Sequence, residues 1–352
     1  MRAEVGADGP TLRNPAALLA RLRDIHDGIR DAVLAACETT ALDRLAAVVG
    51  HDAGDTVFAI DRVSEAVLLD RFESLAEDWP CLLVAEGLGS DGRAVLPAGT
   101  AVDDVEIVVI VDPIDGTRGL MYQKRPAWIL TGVAPYRGRT PMLAEITLAL
   151  QTEIPLLKQH LADTLWTQAG GGAHAERWNR LTGARTPLHL HPSQATTIAQ
   201  GFGGLARFFP GARTELSAVD DEVAAQLLGP PRAGVALTYE DQYISTGGQL
   251  YELLVGHDRW IADLRPLVEP LLAARGQALG LCCHPYDLCT ALIAREAGVI
   301  VEDAAGNPVS APLDVFSPVS WVGYANAAIR AAVGPALRAA LAANGMKIGD
   351  SR

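Results

Sequence analysis

Residues 107–111, Ile-Val-Val-Ile-Val, form an unbroken β-branched run, the pattern of a strand covered on both faces. Upstream, Asn14-Pro15 opens a helical pattern in which Leu18, Leu19, Leu22, Ile25, Ile29, Val33 and Leu34 recur at three-and-four spacing, continuing to about residue 49. Residues 57–60 read as a short strand, 61–75 as an amphipathic helix and 82–85 as an apolar strand ending at Glu86. The segment 87–104, rich in glycine and acids, predicts a mobile loop. Residues 128–135 and 141–149 read as two strands of a meander turned at 136–139, and 188–191 alternates as an edge strand. Further on, 235–239 and 247–255 continue a strand–helix pattern, and 260–275 reads as a proline-interrupted helical insertion. The chain closes with a helix at 287–297, strands at 299–302 and 319–326, and an Ala-rich helix. This is an α/β succession without internal repeats. At 352 residues it predicts two domains, 1–185 and 186–352.

Composition narrows the picture. Nearly half the residues are hydrophobic (49%) and a fifth are charged, which is ordinary for a globular protein. The net charge of −13 argues against binding a nucleic-acid polymer or an anionic membrane surface. The same charge means that an anionic ligand needs local positive charge. Five cysteines (37, 81, 282, 283 and 289) lack metal-ligand spacing, and the adjacent pair at 282 and 283 reads as buried thiols of a reducing compartment. With no signal-like start and no apolar run of membrane length, a cytoplasmic location is the expectation.

The chemistry gathers where the β-branched run ends. Pro113 cannot donate to a ladder, so the strand is expected to stop there, leaving Asp112 and Asp115 at a turn. Two acids within four residues repel each other unless a cation lies between them, and a hard divalent ion liganded by oxygen answers that need. Gly116 permits close backbone approach and Thr117 adds a hydroxyl near a helix start. A plain surface turn with water-facing acids is the alternative, and the buried run in front of it speaks against that.

The hexapeptide Asp112-Pro-Ile-Asp-Gly-Thr117 resembles the signature of the inositol monophosphatase superfamily, which includes fructose bisphosphatase and the phosphoadenosine phosphatases. Residues 82–87 resemble the family's strand ending in Glu-Glu, and Tyr286-Asp287 with the following helix resembles its Trp-Asp helix. Residues 151–155 and the glycine-rich 170–173 resemble its next edge and hairpin. The resemblance runs from about Asp61 to the C-terminus and implies a five-layer αβαβα sandwich, lithium sensitivity and a homodimer. It implies two or three Mg2+ ions: Glu86, Asp112 and the Ile114 carbonyl on one, and Asp112, Asp115 and Asp287 on another. Glu86 and Thr117 would orient the attacking water, Asp61 would help hold a further ion, and the Gly116 and Thr117 amides would cradle phosphate. Asp61 and Asp287 also read as helix N-caps.

Departures from the pattern bear on function. Only one acid, Glu86, stands between Ala85 and Gly87 where the family has two. The acid that contacts inositol hydroxyls in the family is missing from 280–284, Gly-Leu-Cys-Cys-His, so inositol specificity is not implied. His284 is a substrate contact or a structural histidine; His189 and His191 form either a zinc pair or an ordinary exposed edge. Gly116-Thr-Arg-Gly119, through Arg118, echoes the Gly-Thr-Lys-Gly of the phosphoadenosine phosphatases. Tyr239, Tyr243 and Ser245 fall where a second domain would close over the leaving group. The expected activity is magnesium-dependent hydrolysis of a small sugar, cyclitol or nucleotide phosphate. The alternative is a catalytically impaired relative that binds a phosphorylated ligand or serves regulation.

Overall fold

A computed structural model of the chain describes residues 11–40, 48–52, 55–88 and 91–348, and of these only the backbone at 48–52, 55–58 and 61–67. Its larger sheet is built on the β-branched run. Strand β5 (Ile107–Asp115) pairs with β6 (Ala127–Pro135) on one side and with β3 (Cys81–Val84) on the other. Eight strands line up as β10-β9-β8-β7-β6-β5-β3-β4, and only β3–β5 is parallel. The others are β4 (Arg93–Leu96), β7 (Leu148–Ile154), β8 (Leu161–Gln168), β9 (Ala173–Asn179) and β10 (Arg185–Pro187).

Both faces of β5 are covered, as a run without alternation requires. Val109 and Val111 pack with Leu18, Leu22 and Ile29 of helix α1 (Pro15–Thr39) and Phe72 of α2 (Ala59–Ala76). Val108 and Ile110 face the opposite way, toward Leu250 and Leu253 of a helix at Thr246–Leu254 and Ile293 of one at Ala291–Glu296. Those two helices in turn meet a second sheet, ordered β11 (Phe202–Leu205), β12 (Asp258–Asp263), β14 (Trp321–Tyr324), β13 (Ile300–Glu302). Its far face packs on α4 (Arg213–Leu228) and α8 (Ala327–Ala343) through Val219, Val223, Val322, Tyr324, Ile329 and Val333. The middle helices are α5 (Thr246–Leu254) and α7 (Ala291–Glu296), with short α3 (Thr117–Met121) and α6 (Glu269–Ala273) completing the set. The architecture is the expected αβαβα sandwich, helix–sheet–helix–sheet–helix. No helix of the described residues is long and apolar enough to cross a membrane.

Several expectations need correction. Helix α1 ends at Thr39, with Thr40 extended (φ −113°, ψ 133°), and residues 48–52 are a strand (β1) paired to β2 (Asp55–Phe58). The strand placed at 141–149 begins only at Leu148. Pro141 lacks a ladder donor, and Glu145 caps the Met142 amide (2.8 Å) while pairing with Arg139, closing a 3-10 turn at Leu143–Glu145. The supposed loop 87–104 carries β4 at the edge of the sheet. Residues 188–191 make no ladder: Leu188 and Leu190 pack inward and His189 and His191 face solvent, so the alternation is real but the edge strand is β10. At 235–239 there are only single bridges, from Arg232 to Val235 and from Tyr239 to Phe202. The insertion read over 260–275 is the strand β12 followed by two short turns of helix, each with a proline at its start. Helix α7 starts at Ala291 rather than at residue 287, after a turn.

Candidate active site

The strand β5 does not stop at Pro113; it runs through a bulge. The ladder to β6 pairs Asp112 with Leu130 and then Asp115 with Trp128, so that two intervening residues, Pro113 and Ile114, face one, Ile129. In a regular strand, residues three apart point to opposite faces. The extra residue cancels that, so both acids can reach one place. Ile114 donates its N–H to Asp112 Oδ1 (3.0 Å), and the Thr117 hydroxyl donates to the Ile114 carbonyl (2.9 Å), fixing the turn from inside. Gly116 takes φ +97°, and a Cβ there would lie 3.1 Å from Ser245 Cβ and 3.2 Å from the Ile244 carbonyl.

Asp287 arrives from the other half of the chain. One oxygen from each of Asp112, Asp115 and Asp287 lies within 4.8 Å of the other two. The turn preceding α7 holds Asp287 by a bond from the His284 N–H to Oδ2 (2.6 Å), so the predicted cap exists but caps a turn. Asp115 is held by the start of α5. Ser245 Oγ and the Gly247 N–H donate to its Oδ2 (2.8 and 2.6 Å) and the Thr246 N–H donates to Oδ1 (3.3 Å). Gln151, wholly buried on β7, secures that corner by donating to the Gly247 carbonyl (2.8 Å) and accepting from Thr290 (2.9 Å).

Electrostatics follow from the crowding. Burial, then the charges of Asp115, Asp287 and Glu86, raise the Asp112 carboxyl well above the usual carboxylate range, against the Ile114 N–H. Burial raises Asp287 likewise, with Asp115 and Glu86 adding and the His284 N–H and Arg265 opposing. Asp115 is pushed up to about 6 by burial, restrained by Ser245, Gly247 and Thr246. Three hard oxygen donors that resist ionisation side by side suit a hard divalent cation, whose charge would remove the repulsion.

Glu86 stands beside this trio. Its Oε1 accepts the hydroxyl of buried Tyr286 (2.5 Å), and its charge is felt at Asp112 and Asp287. Its neighbour Ala85 is buried in the first core. The backbone at Asp61 is in the first turn of α2, but its side chain lies outside the described residues. Ser245 acts on Asp115 and on the Gly248 N–H, as helix cap and positioning group together. Tyr243 is 4% exposed and its hydroxyl is spent internally, donating to the Pro126 carbonyl (2.8 Å) and accepting from Trp128 (3.0 Å); it is a wall of the core rather than a ligand contact. Tyr239 bonds Gln200 (2.5 Å) and leans on Phe202 at the edge of the second sheet. His284 stacks on Tyr286 with ring centroids 5.5 Å apart, its Nδ1 3.9 Å from Asp287 Oδ2. Arg118 lies over the ring of Phe209 at 5.2 Å. Among the described residues no third ligand joins His189 and His191. Of the groups that secure this corner, Gly247 belongs to the run after Ser245 read as closing over the leaving group, Gln151 was read only as the start of an edge, and Thr290 was not singled out.

Layer order and acid-bearing bulge together define a layered α/β sandwich whose carboxylates meet between its two sheets. Solved structures share this fold across nearly the whole chain. Fructose-1,6-bisphosphatase of Leishmania major in its holo form is similar at a TM-score of 0.66 and 12% identity, over 94% of this chain and 96% of that one. The extragenic suppressor protein SuhB of Bartonella henselae gives 0.61 at 14%, over 92% and 98%. The IMPase of Thermotoga maritima gives 0.57 at 15%, over 93% and 100%. At such identities the likeness is one of fold, the fold that these fructose-1,6-bisphosphatase, SuhB and IMPase structures share. No protein-family profile and no curated protein matches the sequence.

Proposed function

We propose that the chain is a metal-dependent phosphatase that hydrolyses a small phosphate monoester. The convergence of Asp112, Asp115 and Asp287 from two segments of the chain carries this reading. These residues, with Glu86 and the Ile114 carbonyl, would hold magnesium. When bound, magnesium supplies charge neutralisation for the phosphate, acidification of a water and stabilisation of the leaving oxygen. The chain's own groups prepare the rest. Asp115 is oriented by Ser245 and the α5 amides, and Asp287 by the turn at His284. Thr117, whose hydroxyl donates to the Ile114 carbonyl, would orient the attacking water by accepting a hydrogen bond from it, together with Glu86, which Tyr286 aims. The Gly116 and Thr117 amides would meet the phosphate oxygens. The fold neighbours named for fructose bisphosphatase and IMPase activity support the same reading. We further assign the chain as two domains, divided near Arg185, and as a homodimer.

Calorimetric titration tests the metal assignment. Wild type should bind at least two magnesium ions, and Asp112→Asn should lose a site and all turnover while keeping its circular dichroism. Unchanged turnover in that variant sinks the assignment. A second reading, a phospho-ligand-binding relative without turnover, is favoured by one observation: Glu86 is a single acid whose neighbour Ala85 is buried. A stoichiometry of one magnesium, with no phosphate release, would favour it.

A further inference from the structure

Strand β7 is buried along its whole length, yet it carries Gln151, Thr152 and Glu153 in succession. Polar groups persist in such a place only when they are partnered. Alternation sorts them. Leu148 and Leu150 join the core under α1 and Ala149 joins the core under the middle helices, so Thr152 faces α1 and Gln151 faces α5 and α7. Thr152 accordingly meets His26 of α1 (2.9 Å). Glu153 is held locally, by the Asp163 N–H (2.9 Å) and Gln159 (2.7 Å). Gln151 reaches across to the C-terminal half of the chain, and it does so at two points.

Its Nε2 donates to the Gly247 carbonyl (2.8 Å), and the N–H of that same glycine holds Asp115 Oδ2 (2.6 Å). Its Oε1 accepts the hydroxyl of Thr290 (2.9 Å), three residues after Asp287 and at the N-cap position of α7. A threonine there ordinarily turns its hydroxyl onto the amides of its own helix. This one makes no such bond and gives its hydroxyl to Gln151 instead. The seats on either side fit closely. A Cβ on Gly247 would lie 2.5 Å from Leu130 Cδ2, and a Cβ on Gly132 would lie 2.9 Å from the Cys289 carbonyl. Leu130 and Gly132 share one face of β6, and Leu130 is the ladder partner of Gln151. The segment that holds Asp115 and the turn that carries Asp287 thus rest on one patch of sheet, joined by one carboxamide. A second link between them, from the Thr246 hydroxyl to Cys283 Sγ at 3.8 Å, uses a weak acceptor.

Ion size makes this spacing matter. Magnesium takes oxygen ligands at about 2.0–2.1 Å in strict octahedral geometry, whereas calcium accepts about 2.3–2.6 Å and looser arrangements. Ligands carried on separate segments suit the smaller ion only while their separation is fixed. We propose that Gln151 is a positioning residue that fixes the separation of Asp115 and Asp287, and so tilts the acid cluster toward a small divalent cation. This inference rests on the metal reading of the same site and names what sets its choice of ion.

The test titrates full-length protein calorimetrically with magnesium chloride and, separately, with calcium chloride. Gln151→Met nearly keeps the side-chain volume and loses both bonds. Its magnesium affinity should fall about tenfold, as when a group that orients a metal ligand is lost, while its calcium affinity changes little. Thr290→Val should shift the magnesium-to-calcium ratio in the same direction. The double variant should shift it no further than Gln151→Met, since one brace can be broken only once. A residue needed only for packing would lower the urea midpoint and leave the ratio as it was. An unchanged ratio in folded Gln151→Met, or additive shifts in the double variant, overturns the brace. Should Gln151→Met fail to fold by circular dichroism, the ratio in Thr290→Val decides in its place. Wild type that binds neither ion overturns the metal reading and the brace with it. Binding without phosphate release refutes turnover alone, and the ratios still decide the brace.

Discussion

Asp115 shows how one side chain joins two halves of the chain. Its carboxylate replaces the missing partners at the start of α5, accepting from Ser245, Thr246 and Gly247. These bonds favour the charged form and oppose the burial that raises its carboxyl to about 6. Ser245→Ala removes one of them and also the cap on the Gly248 N–H. The expected loss is about 1 kcal/mol of stability, seen by chemical denaturation. Magnesium affinity should also weaken by about tenfold, as it does when a group that orients a ligand is lost. Unchanged affinity would show that Asp115 keeps its position without Ser245. Asp112, Asp115, Gly116 and Thr117 were legible in the sequence because they adjoin one another. Ser245 was singled out for the substrate, since its bond to Asp115 spans 130 positions and no local pattern reports it.

The element that makes the site is the bulge in β5, and here the sequence misleads. A proline after a β-branched run reads as the end of the strand, yet pairing resumes at Asp115 opposite Trp128. The middle helices were legible to different degrees. Helix α5 shows Leu250, Leu253 and Leu254 at helical spacing, whereas α7 is only six residues and its boundary lies in a turn. Helix α4 escaped notice because Leu216, Val219 and Val223 are diluted among alanines and acids. The approach of α5 to β5 depends on Gly247, where a Cβ would lie 2.5 Å from Leu130 Cδ2 and 3.0 Å from Asp115 Oδ2. Gly247→Ala should therefore cost roughly 1–3 kcal/mol by overpacking and should abolish turnover, read from urea midpoints and phosphate release. A variant as stable and active as wild type would mean that α5 does not seat against Asp115 as described.

For the whole molecule, the layered order followed from a run of apolar strand residues that only two covering layers can satisfy, and the family resemblance supplied the number of layers. The seam between α1 and the large sheet holds a titratable group. His26 is 1% exposed between Thr131 on β6 and Thr152 on β7, at 2.8 and 2.9 Å, and burial holds its imidazole down at about 3. The unfolded imidazole takes up a proton near 6.5 and the folded one does not, so stability is intact above that pH and falls as pH drops below it. The slope approaches about 1.4 kcal/mol per pH unit for this one group. Glu153, whose carboxyl burial pushes up to about 7, contributes the opposite slope, so the comparison with a variant isolates the histidine. Urea midpoints between pH 7.5 and 5 should fall less steeply in His26→Gln than in wild type, and parallel curves would contradict a neutral buried His26.

The acids brought together by the bulge are proposed to serve a magnesium-dependent phosphatase. Phosphate release from a panel of nucleotide, sugar and inositol monophosphates, with magnesium and then with chelator, tests it most directly. The expected result is release from at least one ester that chelator abolishes and added magnesium restores. Folded protein that releases no phosphate from any of them, or releases it equally in chelator, would contradict it.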